Sequence, residues 1–409
     1  EIMSNSTSKQ IEVYASVLEP ALRRAICDDD TDVRKQATAA FATMLKSVGP
    51  SAIDSVIPSL LAALKSAVDV LGVDRAFAVM VAGNATILSD EDTDMLMSDE
   101  VTDVRQALNG IRAAVQTRPR DMVMYLMPRF TGTKVLSYMD CITLGAMSST
   151  GGQQLAFYLN TLVPLLVQSF TVSESAVQME EDEGLLLRAV DMCASEVLCA
   201  IQTSGVSSLI DELGKLIEGT EPPLRRLGCR LLRLFVRGTA AEYSDYLPLL
   251  LRYLLSRSCD LEDCVLREVL AALVALGASR PHDDFINHMG FMQSCLMSTV
   301  SESKHSKTTL GKFRTDADGN MLTPLFCLPK SVDPLIPIFI HALLKGSPFQ
   351  REVAANCIGE VVTMTDNVVL KPYLIKTVGP LIRVMGERFD SSVKNAILNT
   401  ILLILKRGG

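Results

Sequence analysis

Residues 335–355 read LIPIFIHALLKGSPFQREVAA, and this stretch contains two successive helical patterns. The first is apolar with a proline near its start, which a helix tolerates because its first amide groups have no acceptor within the helix. A glycine and a Ser-Pro turn follow, with Gln350 three residues after Ser347 as in a capping box. The second pattern begins at Arg351 and is rich in small residues. The stretch therefore predicts an antiparallel helix pair.

Both halves of this pair recur along the chain. The apolar-proline pattern is also present around Pro58 and Pro248. The start of the second pattern, an apolar residue followed by a base, recurs at Leu224-Arg225 and Leu266-Arg267. The bases at 225, 267, 351 and 394 are separated by 42, 84 and 43 residues, which matches the ~40–47-residue period of HEAT and armadillo repeats. We predict an all-α fold, specifically an α-solenoid of HEAT repeats built from antiparallel helix pairs.

Composition agrees with this fold and excludes several functions. The 409 residues are 48% hydrophobic but only 5% aromatic, with no Trp, as expected when Leu, Val, Ile and Ala pack helix against helix. The net charge of −8 argues against direct specific DNA binding. Apolar runs such as 335–344 are shorter than the ~20 residues that a bilayer span needs, and no signal peptide opens the chain. We expect a cytoplasmic protein without membrane contacts.

Cysteine usage points to the same compartment. The ten cysteines form no C-x-x-C pair, and most lie within apolar helical runs. We predict buried thiols in a reducing environment rather than disulfides or zinc ligands. The examples that lie in such runs are Cys193, Cys199, Cys229 and Cys357.

Two stretches interrupt the repeat. Residues 68–101 are rich in Asp and predict an insertion, whereas 304–332 combine bases with an Asp-Gly-Asn turn and predict a long loop. We therefore expect HEAT repeats over 1–303, with the insertion near 68–101, and again over 333–409. The chain opens without Met and stops directly after an apolar helix, so we expect a piece of a longer array.

No catalytic or cofactor motif is present. Residues 316–320 resemble the start of a calcium loop, but Asn320 and Cys327 stand where that loop needs acidic ligands. The four histidines lack the spacing of metal ligands. No phosphate-binding loop, nucleophile elbow or kinase signature occurs. We therefore expect no enzyme activity, no metal and no cofactor.

Charged residues predict one structural feature and one binding feature. In such arrays the base at the start of the second helix of each pair can form an ion pair with an acidic residue in the turn of a neighbouring repeat. Successive pairs form a ladder along the array, and each exposed pair stabilises the fold by at most ~1 kcal/mol. The predicted ladder residues are Arg34, Arg105, Arg225, Arg267 and Arg351.

Residues 331–409 carry five Lys and four Arg against three Asp and three Glu, a net charge of +3, so the preceding 330 residues carry −11. The last repeats therefore offer a basic surface to an acidic partner.

Several consecutive motifs resemble one family. These are FCLPK at 326–330, GSP at 346–348, GPLIR at 379–383, GERF at 386–389 and Val393-Lys394, with further likeness at 1–3 and around 25–34. They are similar to the large general-control-non-derepressible translational activator, the ribosome-bound partner of the starvation-responsive kinase of initiation factor 2 α. The likeness is strong over 1–65 and 323–409, whereas 68–101 and 131–240 depart from the pattern.

The resemblance implies a non-catalytic scaffold in translation control, a segment of a longer solenoid that lies along the ribosome and responds to stalling. It implies that the kinase binds through its RWD domain near the C-terminal end of this chain. An ABC-class ATPase would bind through other segments. The residues expected to contact the kinase are Arg383 and Arg388, with Lys376 and Lys394. The alternative, an importin-like transport or trafficking adaptor, is disfavoured by the absence of Trp.

Overall fold

The computed structural model describes residues 6–49, 51–84, 99–179, 184–305 and 322–408, and every regular element within these ranges is a helix. The α-helices are α1 Ser8–Ile26, α2 Thr31–Val48, α3 Ser51–Leu71, α4 Val73–Asn84, α5 Asp99–Thr117, α6 Pro119–Thr131, α7 Tyr138–Leu155, α8 Leu159–Gln178, α9 Leu185–Cys199, α10 Thr203–Ile217, α11 Pro222–Gly238, α12 Leu247–Ser256, α13 Asp263–Ser279, α14 His282–Ile286, α15 Met289–His305, α16 Ile336–Lys345, α17 Pro348–Met364, α18 Asn367–Leu370, α19 Leu374–Met385 and α20 Ser391–Gly408. The prediction of an all-α HEAT solenoid is confirmed.

The chain divides into two compact units, Glu1–Leu209 with Thr239–Ala241, and Ile210–Gly238 with Glu242–Gly409. In the first unit α1 packs on α2, α3 on α5, α6 on α7 and α8 on α9. The second members of these pairs also pack on one another in order, α2 on α5, α5 on α7 and α7 on α9. They form the inner row of the unit, and the first members form its outer row.

Helix α4 is additional to these pairs. It packs against α5, α7 and α9, three consecutive helices of the inner row. Phe77 and Met80 of α4 are buried, and a Cβ at Gly145 of α7 would overlap the Met80 sulfur. Part of the stretch predicted as an insertion is therefore a helix that lies across the inner face of the first unit. Residues 85–98 of that stretch lie outside the described residues.

The second unit repeats the pairing. Its inner helices α11 and α13 pack on each other, as do α17 and α20, while α12 packs on α15 and α16 on α19. Residues 306–321 of the predicted loop lie outside the described residues. The end of that loop is folded against α17, because the Thr323 amide donates to the Met364 carbonyl at 3.0 Å and the Asp366 amide to that of Phe326 at 3.3 Å.

Helix ends and prolines follow local rules of the sequence. The capping box of Ser347 and Gln350 is present at the start of α17, and Ser137 forms another with Asp140 at α7. Prolines inside helices fall in outer helices, at Pro20, Pro58, Pro128, Pro164 and Pro380. This agrees with the proline pattern of the sequence, since an outer helix bends more easily towards solvent.

One stretch is longer and more apolar than the predicted apolar runs. Tyr138–Gln178, which comprises α7, a 3₁₀ turn and α8, is long and apolar enough to cross a membrane by composition alone, and its most apolar 18-residue window has a mean hydropathy of 1.5. Half of its most apolar window is buried inside the structure. Because α7 packs against α4, α5, α6 and α9, a central position in the core accounts for this composition.

Candidate protein interaction surface on the last helix pair

Two inner-helix arginines of the second unit bridge successive turns. Arg225, on α11, donates to the carbonyls of Gly219 and Thr220 in the turn before its helix. Its Nε and Nη2 also bind both carboxylate oxygens of Asp260, in the turn before α13, at 2.7 and 3.0 Å. Only 12% of the Arg225 side chain and 2% of the Asp260 side chain are exposed. The hydrogen bond to Asp260 raises the pKa of Arg225, so the guanidinium group stays protonated.

Arg351, on α17, has a related arrangement further along the chain. Its Nε and Nη1 donate to the carbonyls of Gly346 and Leu343 at 2.7 and 2.9 Å. Its Nη1 lies 3.9 Å from a carboxylate oxygen of Glu387, and its guanidinium stacks on the Phe389 ring at 4.6 Å. Arg351 therefore fixes residues 387–389, in the turn between α19 and α20.

The other three predicted ladder residues differ. Arg34 donates to the carbonyls of Asp28 and Asp29, within its own repeat. Arg105 reaches Asp29 at 3.2 Å, but the pair is exposed. Arg267 is exposed and forms no ion pair within the described part of the chain. At that level of the array the contact between α11 and α13 is made instead by Arg233 and Glu268 at 3.2 Å.

The predicted kinase contacts lie on and beside α19. Lys376 and Arg383 are seven residues apart on this helix, and both are exposed. Each follows an exposed isoleucine, because Ile375 is 88% and Ile382 57% exposed. Residues seven apart lie on one side of a helix, so α19 presents a face on which apolar and basic side chains alternate. We call Ile375, Lys376, Ile382 and Arg383 the α19 face.

Arg388 and Lys394 lie next to this face in sequence. Arg388 is exposed in the turn between α19 and α20, flanked by Glu387 and Phe389, the two residues held by Arg351. Lys394 is half-buried near the start of α20. The predicted ladder residue Arg351 therefore supports the turn that carries the predicted binding residue Arg388. Exposed isoleucines beside cations are suited to a protein partner with an acidic rim and an apolar centre.

The cysteines that lie within the helical core are shielded from reaction. Cys193, Cys229 and Cys357 are buried, as predicted, whereas Cys199 is half-buried. A hydrogen bond with Cys141 and burial raise the pKa of Cys193, and burial raises the pKa of Cys229 to about 12. Such thiols remain protonated at neutral pH and are poor nucleophiles.

Two histidines that the sequence spacing did not connect come together in the second unit. The rings of His282 and His341 have centroids 5.6 Å apart, and His341 Nε2 lies 2.7 Å from an Asp283 carboxylate oxygen. Burial and the neighbouring His341 lower the pKa of His282. Among the described residues, no group of three or more His, Cys, Asp or Glu side chains is arranged to hold a metal ion.

Sequence reasoning missed the apolar half of the α19 face. The predicted contact residues are all basic, yet Val368, Ile375 and Ile382 recur every seven residues and are exposed. Apolar residues at this spacing normally face the core. The base directly after each isoleucine was the sequence signal that these isoleucines are exposed. A helix side that faces the core would have to bury these cations together with the isoleucines.

Comparison with known proteins identifies relatives across the chain. It is 27% identical over 410 residues to the eIF-2-alpha kinase activator GCN1 of Dictyostelium discoideum and 25% identical over 416 residues to the stalled ribosome sensor GCN1 of Homo sapiens. Both alignments cover 100% of this chain and 13% of the relative. The chain therefore spans about an eighth of the length of these relatives.

Solved structures with a similar arrangement include Kap121p bound to RanGTP, with a TM-score of 0.37 and 16% identity over 95% of this chain and 34% of that one. Kap121p bound to Nup53p has a TM-score of 0.35 and 14% identity, covering 98% of this chain and 38% of that one. The model for the HEAT repeats of stalled ribosome sensor GCN1-like proteins matches residues 122–330, half of the chain, and the chain therefore belongs to the GCN1-like HEAT-repeat family.

Proposed function

We propose that this chain is a non-catalytic scaffold segment of a ribosome-associated activator, and that its α19 face binds the RWD domain of the initiation factor 2 α kinase. The relatives are named for ribosome sensing and for activation of this kinase. The ribosome is contacted through the parent protein, in the cytoplasm, and an ABC-class ATPase through other segments. The observation that carries the proposal is the exposed row of isoleucines and cations on α19.

The energetics of the α19 face suit such a contact. Complete burial of an isoleucine side chain contributes roughly 1.5–3 kcal/mol, so Ile375 and Ile382 supply the apolar centre of a small interface. Arg383 and Arg388 form no ion pair within the described part of the chain, and their guanidinium groups are free to bind carboxylates in bidentate geometry. Arginine and buried apolar groups together are typical of interface hot spots.

The experiment measures the affinity of the purified chain for the isolated RWD domain of the kinase. Arg383→Ala with Arg388→Ala should weaken binding at least tenfold, about 1.4 kcal/mol. Ile375→Ala with Ile382→Ala should weaken it to a similar or greater degree. Both pairs should leave the helical signal and the melting temperature nearly unchanged, because the four side chains are exposed.

Arg120→Ala with Lys134→Ala is the matched control, since it removes two exposed cations from the first unit. It should bind the RWD domain as the unsubstituted chain does. Wild-type affinity in both α19 variants would place the kinase contact elsewhere. If the control variant loses as much affinity for the RWD domain as the α19 variants do, the contact is a general electrostatic attraction and is not specific to the α19 face.

The parent protein gives a second test against the importin-like alternative. A ribosome-bound sensor should co-sediment with ribosomes from starved and unstarved cells. A transport adaptor should remain in the light fractions of the gradient, and that result would contradict the proposed function.

A further inference from the structure

A groove in the second unit, remote in sequence from α19, has the features of a second binding site. It lies between α12 and α15, beside the end of α10, and has a volume of about 550 Å³. Small binding sites usually occupy roughly 300–1,000 Å³. Its lining includes Arg252, Arg257 and Glu218, with Phe291 and several hydroxyl side chains.

Arg257 is the unusual residue of the groove. Its Nε is buried and forms no hydrogen bond among the described residues. Leaving a donor of a charged group without an acceptor away from water is costly. The comparable arginines Arg225 and Arg351 both have acceptors from two turns. Arg257 also forms no ion pair among the described residues, and it lines the groove, where an anionic ligand can bind its guanidinium group.

Arg252 gives the groove a second cation. Its only carboxylate neighbour among the described residues is Glu218, at 3.7 Å, and both side chains are about half exposed. A contact of that length and exposure contributes little. A carboxylate from a ligand can take the place of Glu218 beside Arg252, and the groove then holds two cations facing one acidic ligand.

The hydroxyl groups distinguish between two kinds of acidic ligand. Ser256, Ser294 and Ser298 donate to backbone carbonyls of their own helices at 2.9–3.0 Å. The three side chains line the groove, and their remaining lone pairs can accept hydrogen bonds from N–H donors. A peptide backbone supplies such donors, whereas the phosphate backbone of RNA supplies further acceptors. Phe291 adds an exposed ring for an apolar side chain.

We propose that this groove binds an extended peptide segment of a partner protein in which acidic side chains alternate with apolar ones. The acidic side chains bind Arg257 and Arg252, and the backbone amides bind the serine oxygens. The site is separate from the α19 face, and its occupancy does not depend on the RWD contact.

The test uses two fluorescein-labelled octapeptides, one with two aspartates and two leucines, the other with asparagine in place of each aspartate, titrated into the complete chain. The acidic peptide should bind at least tenfold more tightly than the asparagine peptide. Arg257→Ala should remove that preference, and Arg237→Ala, an exposed arginine of α11, should retain it. Glu218→Gln should strengthen binding about threefold, because Arg252 loses its competing carboxylate.

Cysteine alkylation by N-ethylmaleimide, followed by mass spectrometry, locates the bound peptide. Cys295 lines the groove, whereas the exposed Cys264 lies in a different cavity. The acidic peptide should protect Cys295 and leave Cys264 unchanged. Three results would overturn the proposal. They are equal binding of both peptides, protection of neither thiol, and binding of a twelve-residue oligouridine through Arg257 when the acidic peptide does not bind.

Discussion

Arg105 in the first unit and Arg225 in the second occupy equivalent positions near the start of an inner helix, and each reaches an aspartate of an adjoining repeat. The Arg105 pair is one hydrogen bond of 3.2 Å between side chains that are 37% and 41% exposed. The Arg225 pair is bidentate and nearly excluded from solvent. The same motif therefore contributes different amounts to the free energy of unfolding at the two positions, and the burial of the arginine determines how large the contribution is.

Arg225→Ala should have the largest effect of the ladder variants. It leaves the Asp260 carboxylate buried without its cation, which typically costs about 3–5 kcal/mol. Thermal and denaturant melts of the complete chain should show early loss of the second unit. Arg225→Ala combined with Asp260→Ala should recover part of the loss, since no uncompensated charge remains. A decrease below about 1 kcal/mol would show that this pair is as weak as exposed ones.

Arg351→Ala should rank second. It removes hydrogen bonds from a charged donor, each worth about 1.5–3 kcal/mol, and releases the turn that carries Arg388. We therefore expect lower stability together with severalfold weaker RWD binding. Arg351→Lys should rescue neither property, because an ammonium group cannot bind two carbonyls and stack on Phe389 at once. Unchanged RWD binding in both variants would separate the ladder from the binding surface.

Arg105→Ala should cost at most about 1 kcal/mol, because its pair with Asp29 is exposed. The cost should shrink further in high salt, which screens exposed charges. Melts at low and high ionic strength measure both effects. A larger, salt-independent loss would show that Arg105 is desolvated in solution.

Arg267→Ala should have the smallest effect, within about 0.5 kcal/mol, as for other exposed positions without specific contacts. Glu268→Ala, one residue away, is the informative counterpart because it removes the partner of half-buried Arg233. The Glu268 variant should therefore melt clearly below the Arg267 variant. The reverse order would mean that α11 and α13 are joined through Arg267.

The repeat pattern was sufficient to predict the helix pairs, because helix periodicity, proline placement and capping are local properties. The Ser347 and Gln350 capping box shows this most directly. Burial of a given arginine is not local, since it depends on which helix packs above it. The sequence pattern is therefore the same at Arg225 and Arg267. In the structure the packing of α11 on α13 buries Arg225, whereas Arg267 is exposed.

The candidate site was predictable only in part. Charge asymmetry and the family motifs pointed to Arg383 and Arg388, whereas the isoleucines beside them resemble core residues until the packing of α19 is known. Likewise Arg257 carries no sequence signal, because the burial of its Nε without a hydrogen bond is a property of the folded groove. Helix α4 was contained in a predicted insertion, but its position across α5, α7 and α9 depends on tertiary contacts.

The most direct test of the central claim is hydrogen–deuterium exchange of the complete chain with and without the RWD domain of the kinase. The amides of α19 and of the turn at 386–390 should exchange more slowly in the complex, because binding suppresses local opening of the elements it contacts. Helices of the first unit should exchange at the same rate in both samples. Protection that falls outside 371–394, or no protection at saturating RWD domain, would contradict the account.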